Sequence, residues 1–318
     1  MKMTLKMNLK MISIFFFTSM SGCFAQNDTL QNSYKKSYND KITTSIYYLA
    51  TSNNFQIQSN VEGQKISLDL IPDRREQLGV TVSYKFIDIS VGFAPKFFDV
   101  NNNPKSKHFN FGTRFYYKKW MQSFTFINQK GFHAITEKTQ VNFPQMRTTK
   151  VGGSTSYIFN DKFSFKALID QNEWQTKSAG SFIPTFSFYY TNLDLNDPTD
   201  PSTGNMYVFS IAPSYFYNWV ISKKVLIGSG IAFGAGINDT DGDVTGLYQL
   251  DLNLKLAYNT DRFFAYATLN NVSFLQGSAA PEQLNENISS LKISLGYRFD
   301  TPKKIKEVYD KVNKKLGL

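Results

Sequence analysis

The sequence predicts an antiparallel transmembrane β-barrel of about 12 strands, and three observations carry that expectation. Between Tyr248 and Tyr258 every second residue is apolar (Tyr248, Leu250, Leu252, Leu254, Leu256, Tyr258), while Gln249, Asp251, Asn253, Lys255 and Ala257 fill the gaps. Charges in those gaps rule out burial on both faces, and an aromatic at each end fits two lipid-water interfaces about one bilayer apart. Composition is the second observation: 29 Phe and 18 Tyr in 318 residues need an apolar home, yet the mean hydropathy is -0.32 because lumen and loop residues dilute the lipid face. Third, nothing after the leader supplies the run of about 18 apolar residues that a membrane helix needs, so a helical membrane protein is excluded.

Residues 1–25 read as an export signal. Lys2, Lys6 and Lys10 form a basic start, Met11 to Met20 an apolar core, and Cys23-Phe24-Ala25 a small-residue junction before Gln26. A competing reading keeps Ser21-Gly22-Cys23 as the end of a lipoprotein box, with Cys23 lipidated. Cleavage after Ala25 removes the single cysteine, so disulfides and thiol chemistry are excluded from the mature chain. It also lowers the formal net charge from +10 to +7 by removing three lysines. Residues 26–40 are a periplasmic lead, 41–300 the barrel and 301–318 a basic tail.

Alternation and turn chemistry place the strands. The first lies near 42–51, followed by a surface segment to about Arg75. Leu78, Val80, Val82, Tyr84 and Phe86 point outward, the chain turns into Ile89, Val91, Phe93 and Pro95, and after a polar loop Phe109, Phe111, Thr113 and Phe115 point outward again. Residues 120–129 return. Further strands fall near 146–159, 163–172, 178–191, 206–219, 223–237, 244–259, 261–275 and 288–299. Short turns such as Asn160-Asp161-Lys162 and Asn259-Thr260-Asp261 belong on the periplasmic side, and long loops such as Leu193 to Asn205 and Gln276 to Asn287 outside.

That count is 13, and an odd number conflicts with both barrel ends lying in the periplasm. Merging 163–172 with 178–191 into one bulged element around Asn172 to Gly180 gives 12; 14 is the alternative if residues 54–71 add a pair. The last strand is the most specific local signal, with Leu291, Ile293, Leu295, Tyr297 and Phe299 alternating with Lys292, Ser294, Gly296 and Arg298. Beyond it, Ile305, Tyr309, Val312 and Leu316 recur at helical spacing among lysines, which predicts a short amphipathic helix able to lie on anionic lipid.

The Lys41-Ile42-Thr43 opening, the run from Ser106 to Trp120 (SKHFNFGTRFYYKKW), and Gln171-Asn172-Glu173-Trp174-Gln175 followed by Lys177-Ser178-Ala179-Gly180-Ser181-Phe182 resemble the Bacteroidota outer-membrane family known as domain of unknown function 4421. The resemblance covers most of the mature chain. It implies a barrel in the outer membrane of a Gram-negative-type envelope and no assigned activity, so it carries over no functional residues.

Chemistry is sparse. The two histidines, His108 and His133, fall near the outer ends of adjacent strands, and Ser106 shares a face with His108 while Glu137 is near in sequence. A rim-sited lipid hydrolase or deacylase would need such a nucleophile, base and orienting group, so Ser106 and His108 are the weak catalytic candidates. The spacing of Asp239, Asp241 and Asp243 around Gly242 lacks the distal glutamate of an EF-hand loop and reads as a surface turn; no metal site and no cofactor is expected.

The inward positions are more informative as a set. Lys85, Lys96, Arg114, Lys150, Lys166, Lys255, Lys292 and Arg298 are cationic and Asp88, Asp170 and Asp251 anionic. An open lumen lined this way attracts anions; a closed one pairs these charges across a narrow interior. The inward glycines Gly228, Gly230, Gly234 and Gly236 leave room for a loop, for a folded-in segment at 172–180, or for solute. Three functions stay open: a non-enzymatic channel or structural barrel, which ranks first; a lipid enzyme; and a barrel subunit of an envelope complex. Outer-membrane lipid is the expected surrounding, an anionic solute or an envelope protein the further partner, and nucleic acid is not a partner because the basic residues scatter over strands in the wrong compartment.

Overall fold

Alternation of the kind just described builds one closed wall. The structure is a computed structural model and describes residues 34–61, 64–73, 76–98, 106–135, 140–169, 171–195, 203–277 and 282–316. In chain order the elements are β1 (Lys35–Ser37), β2 (Lys41–Val61), β3 (Gln64–Pro72), β4 (Glu76–Tyr84), β5 (Ile87–Phe93), a 3-10 turn (Lys96–Phe98), β6 (Lys107–Tyr117), β7 (Trp120–Ile135), β8 (Gln140–Tyr157), α1 (Phe165–Ile169), β9 (Glu173–Gln175), β10 (Ala179–Phe182), β11 (Thr185–Asp194), β12 (Thr203–Ala212), β13 (Ser214–Val220), β14 (Val225–Thr240), β15 (Asp243–Asn259), β16 (Phe263–Gln276), β17 (Glu282–Asp300) and α2 (Lys303–Leu316). Antiparallel pairing runs round the ring and closes where β17 pairs with β2, from Lys41↔Asp300 to Ser59↔Glu282. The rim where β2 begins and β17 ends is called the near rim below, and the opposite one the far rim.

Three of the twelve wall strands are made of two pieces each. β3 continues β4, so the chain that was expected to form a surface segment extends β2 and its neighbour instead: Phe55↔Leu70 and Val61↔Gln64 pair above Thr43↔Ser83. The expected alternative of a further pair in the wall therefore does not arise. On its other edge β3 pairs with β7 (Ile71↔His133), bridging over the shorter β5–β6 hairpin. The other two breaks fall at prolines, Pro184 between β10 and β11 and Pro213 between β12 and β13. A proline cannot donate to the ladder, so pairing resumes around it through Ile183 N to Ser214 O (2.8 Å) and Phe233 N to Pro213 O (3.2 Å).

The expected faces hold. Leu252, Leu254, Leu256 and Tyr258 are about half exposed, whereas Lys255 and Ala257 are buried; Leu78, Val80 and Val82 likewise point out and Gln77, Thr81 and Ser83 in. Large apolar side chains face outward all round the ring, the surface a bilayer requires. Near the near rim the outward rings touch edge to face, Trp120 with Tyr157 (4.8 Å between centroids), Tyr157 with Phe159 (5.0 Å), and Phe263 with Tyr297 (4.7 Å), forming part of an aromatic girdle.

One expected strand is not a strand. Residues 163–169 and 171–172 lie inside the barrel, where Ser164 Oγ accepts from Ala167 N (3.0 Å) and so caps the five-residue helix α1. Asn160–Lys162 is accordingly the entrance to an internal segment and not a turn between two wall strands. The count of 12 survives because the merged element keeps its 178–191 part as β10 and β11. Helix α2, described by itself, spans the tail over which helical spacing was expected. The leader, Cys23 and Glu137 lie outside the described residues.

Candidate functional site

The lumen is the only large surface that the wall encloses among the described residues, and it divides into three layers. At the near rim the segment from about Ile158 to Ser178 folds in and meets the chain before β2: β9 pairs with β1 (Lys36↔Trp174), and Phe163, Phe165, Leu168 and Ile183 form one apolar cluster there while Trp174, Tyr38, Leu226 and Phe264 form another. The strand glycines make this possible. A Cβ at Gly228 would stand 2.3 Å from Leu168 Cδ1, so the missing side chain is the space the helix occupies.

A folded-in helix brings carbonyls that need donors. Lys255, fully buried on β15, donates to Ala167 O (3.1 Å) and Leu168 O (2.7 Å), and Arg298, fully buried on β17, donates to Gln171 O (2.7 Å), Thr260 O (2.8 Å) and Asn259 Oδ1 (2.7 Å). The Arg298 guanidinium also lies over the rings of Tyr38 (3.7 Å) and Phe264 (4.7 Å). Cations at the end of a helix meet its negative pole as well as its orphan carbonyls. Lys166 reaches Lys85 O (3.2 Å) and sits 3.7 Å from Glu173.

The Gln171–Gln175 motif is the knot of this plug. Gln171 adopts a left-handed backbone (φ 60°), and its N–H closes on Lys166 O (2.8 Å) as a helix C-terminus requires. Asn172 Nδ2 donates to Lys85 O (3.0 Å) in the β4–β5 turn, and Trp174 Nε1 to Lys223 O (3.2 Å) before β14. Gln175 Nε2 is shared among the carbonyls of Tyr34, Lys162 and Lys177, while its Oε1 accepts from Ser164 N (2.7 Å). Each of these residues ties the plug to a near-rim turn or to itself.

Above the plug lies a cavity of about 180 Å3, floored by Ile169 and lined by Asp88, Arg114, Tyr266, Thr268 and Lys292. Buried Asp88 accepts from Ser83 Oγ (2.6 Å) and lies 3.4 Å from Arg114 Nη1; Lys292 Nζ stands 4.1 Å over the Tyr47 ring. Gly79 and Gly92 admit that ring, since a Cβ at Gly79 would come 2.1 Å from Tyr47 Cζ. Two cations and one carboxylate make the cavity attractive to a small anion.

The far-rim layer holds an apolar cluster beside buried polar pairs such as Gln129 with Thr148 and His133 with Asp73. Phe55, Leu70, Phe132, Met146, Met206, Val208, Leu247 and Phe274 converge from all sides of the wall into one buried cluster. Of the two alternatives the sequence left open, an open lumen and a closed one, the far half resembles the closed one: its inward residues pack against one another like a protein core. One ion pair is sunk there, Lys150 Nζ to Glu286 Oε2 at 2.6 Å, with the ammonium 4.7 Å over Tyr189.

The expected lumen residues thus go to different places. Asp88, Arg114, Lys150, Asp251, Lys255, Lys292 and Arg298 stand on inward strand positions, with Asp251 accepting from Gln249 Nε2 (2.7 Å). Lys85 is not lumen-lining: it occupies the β4–β5 turn at φ 53° with its ammonium over the Tyr84 ring. Lys166 belongs to the plug helix. Lys96 lies in the 3-10 turn past β5 with its side chain outside the described residues, as is Asp170 altogether. Glu286 was missed because the last strand was begun at 288; extending its alternation by one step exposes an inward carboxylate facing Lys150.

The histidines stay at the far ends of adjacent strands, and both are buried. His108 lies 3.4 Å from Gln129 Nε2, and His133 Nδ1 lies 2.9 Å from Asp73 Oδ1, where Asp73 N also reaches Gly131 O (3.0 Å) in a bulge of β7. Ser106, 1% exposed, is as enclosed as they are. In the Asp239–Asp243 turn, Asp239 accepts from Gly242 N (2.8 Å) and Asp241 from Asn205 N (3.0 Å), so those carboxylates cap backbone.

Against known proteins, a family model described as a domain of unknown function, DUF4421, matches residues 26–299. No curated relative matches the chain. Among solved structures the chain is similar to the COG4313 outer membrane channel from Pseudomonas putida F1 (11% identity, 86% of this chain and 100% of that one, TM-score 0.39) and to the translocator domain of autotransporter NalP from Neisseria meningitidis (10%, 91% and 96%, 0.38). It is also similar to the beta domain of the Bordetella autotransporter Brka (8%, 82% and 100%, 0.38). What those proteins do is not carried over.

Proposed function

The chain belongs to the DUF4421 family, whose description assigns no activity, and from its geometry we propose that it is a non-enzymatic, closed barrel of the outer membrane, near rim to the periplasm, that acts through its outer wall and rims and not by conduction. One observation carries this reading: the lumen is filled twice, by a hydrogen-bonded plug at one end and by an apolar core at the other. The outward apolar ring supports the membrane, and the two chain ends of the barrel at one rim support the orientation. Burial of Ser106, His108 and His133 argues against a lipid enzyme, whose nucleophile and base must meet substrate.

Planar-bilayer recording tests the proposal. Purified wild-type protein is expected to insert without steady conductance, and a persistent open level in the wild type would overturn it. A second reading, a gated anion path, is favoured by Arg114 and Lys292 facing one cavity. It predicts that Lys255→Ala/Arg298→Ala, which unties the plug, conducts anions better than cations.

A further inference from the structure

The outer wall is not uniformly apolar. On β17 the outward residues Phe299, Tyr297, Leu295, Ile293 and Leu291 cover nine residues, about one tilted membrane crossing, and then give way to Ser289, Asn287 and Asn285. The pairing places the same change on the neighbouring strands. Leu269, Leu291 and Ala50 stand opposite one another on β16, β17 and β2, and the next outward row is Asn271, Ser289 and Ser52. On β15, however, the apolar series continues: Leu252 faces Asn271 and Leu250 faces Ser273. Leucines and amides are therefore side by side at the height where the belt ends.

The polar side of this border is preorganised. Asn271 Nδ2 donates to Ser289 Oγ (2.8 Å) and Asn287 Oδ1 (3.2 Å), Asn287 Nδ2 to Ser273 Oγ (2.7 Å), and Ser289 Oγ to Asn287 Oδ1 (2.9 Å). Such a ladder holds its amide and hydroxyl groups in fixed positions with acceptor and donor capacity left over. A concavity of about 760 Å3 reaches the border: Leu252, Leu254, Leu269, Leu291, Ser52, Asn271 and Ser289 line it from the outward rows, and Thr51, Gly230, Asn253, Asn270 and Ser290, on the inward rows between them, complete its lining. That volume is of the size that holds a small molecule. No Lys or Arg lines it among the described residues, and Glu76 contributes a carboxylate, so a phosphate head would meet no counter-charge.

We propose that this border is a binding site for one outer-leaflet glycolipid, its acyl chains on the leucines of β15–β17 and its uncharged sugar hydroxyls and amide linkages on the Asn271–Ser289 ladder. The site rests on the reading of the chain as an outer-membrane barrel with the far rim outward. It needs no open lumen.

Native mass spectrometry of the full mature protein in mild detergent tests it, with an acylated glucosamine disaccharide and phosphatidylethanolamine supplied separately as probes. The wild type is expected to retain one glycolipid at concentrations at least about tenfold below those needed for the phospholipid. Asn271→Leu/Ser289→Leu should lose that preference, and since it only lengthens the outward leucine rows by one position, leaving strand pairing and the lumen untouched, it should still fold, judged by faster migration in gels before boiling than after. Equal retention of the two lipids, preference for the phospholipid, or an unchanged preference in the double variant would overturn the site. A folded, non-conducting barrel without glycolipid preference would sink the site alone, whereas a mature protein soluble without detergent would sink the outer-membrane reading itself.

Discussion

The two halves of the lumen are closed by opposite chemistry. At the near rim, strand cations and amides donate to the backbone of a segment that has left the wall; at the far rim, side chains of the wall, an apolar cluster with buried polar pairs beside it, meet one another directly. The difference follows from what is being buried. A folded-in chain carries unpaired carbonyls that cost free energy unless given donors, so Lys255, Arg298 and Gln175 are needed there. Side chains of the wall bring no such debt, because strand pairing has already satisfied their backbone. A charge in the near half therefore answers an acceptor that cannot be mutated away, while a charge in the far half answers only another side chain.

The far-half ion pair gives the strongest way to break that contrast. Lys150→Met leaves Glu286 buried and uncompensated and is expected to cost about 3–5 kcal/mol in urea titrations of protein refolded into bilayers. Adding Glu286→Leu should recover most of the loss, because an apolar pair belongs in that cluster. A double variant as unstable as the single one would mean that the far half depends on its charges after all.

Arg298→Ala comes next, with an expected loss of about 2–4 kcal/mol, since it strips donors from Gln171 O, Thr260 O and Asn259 Oδ1 together. No second substitution of the Lys150 and Glu286 kind can rescue it, as two of the three acceptors are main chain. Protease cutting within 158–178 should rise in this variant while the β3–β7 end stays protected, and cutting that rises equally at both ends would merge the two halves into one cooperative unit.

The smallest effect is expected from Gly228→Ala, about 1–2 kcal/mol. Its new methyl meets the far end of Leu168, which can give way, so the plug should loosen without leaving. Truncating Leu168 to Ala in the same chain should relieve part of the clash; additive losses in the pair would show that the glycine serves the strand and not the plug.

How legible each half was in the sequence follows from the same contrast. The wall was legible because its rule is local: period-two alternation sets inside and outside residue by residue, and Tyr248 to Tyr258 or Leu291 to Phe299 can be read without knowing their neighbours. The cations Lys255 and Arg298 fall on inward positions of that alternation, but what they hold was not visible in it. Phe163-Ser164-Phe165-Lys166 alternates as well as any strand, yet Ser164 caps a helix there, because Leu168 finds the space left by Gly228 on a strand some 60 residues later. The apolar far half was hidden for a related reason. Phe55 and Leu70 lie in what read as a surface segment, and only the pairing of β2 with β3 turns them into the barrel.

By itself, then, the chain determined an antiparallel membrane wall and which face of its regularly alternating strands meets lipid, since a strand's two faces are settled by its own alternation; the count of twelve came from merging 178–191 with a segment, 163–172, that the structure takes off the wall. Whether the lumen is open, what its cations bind, and where the outer wall turns from leucine to amide across β16, β17 and β2 were decided only in the tertiary structure, because each depends on register between segments far apart in sequence.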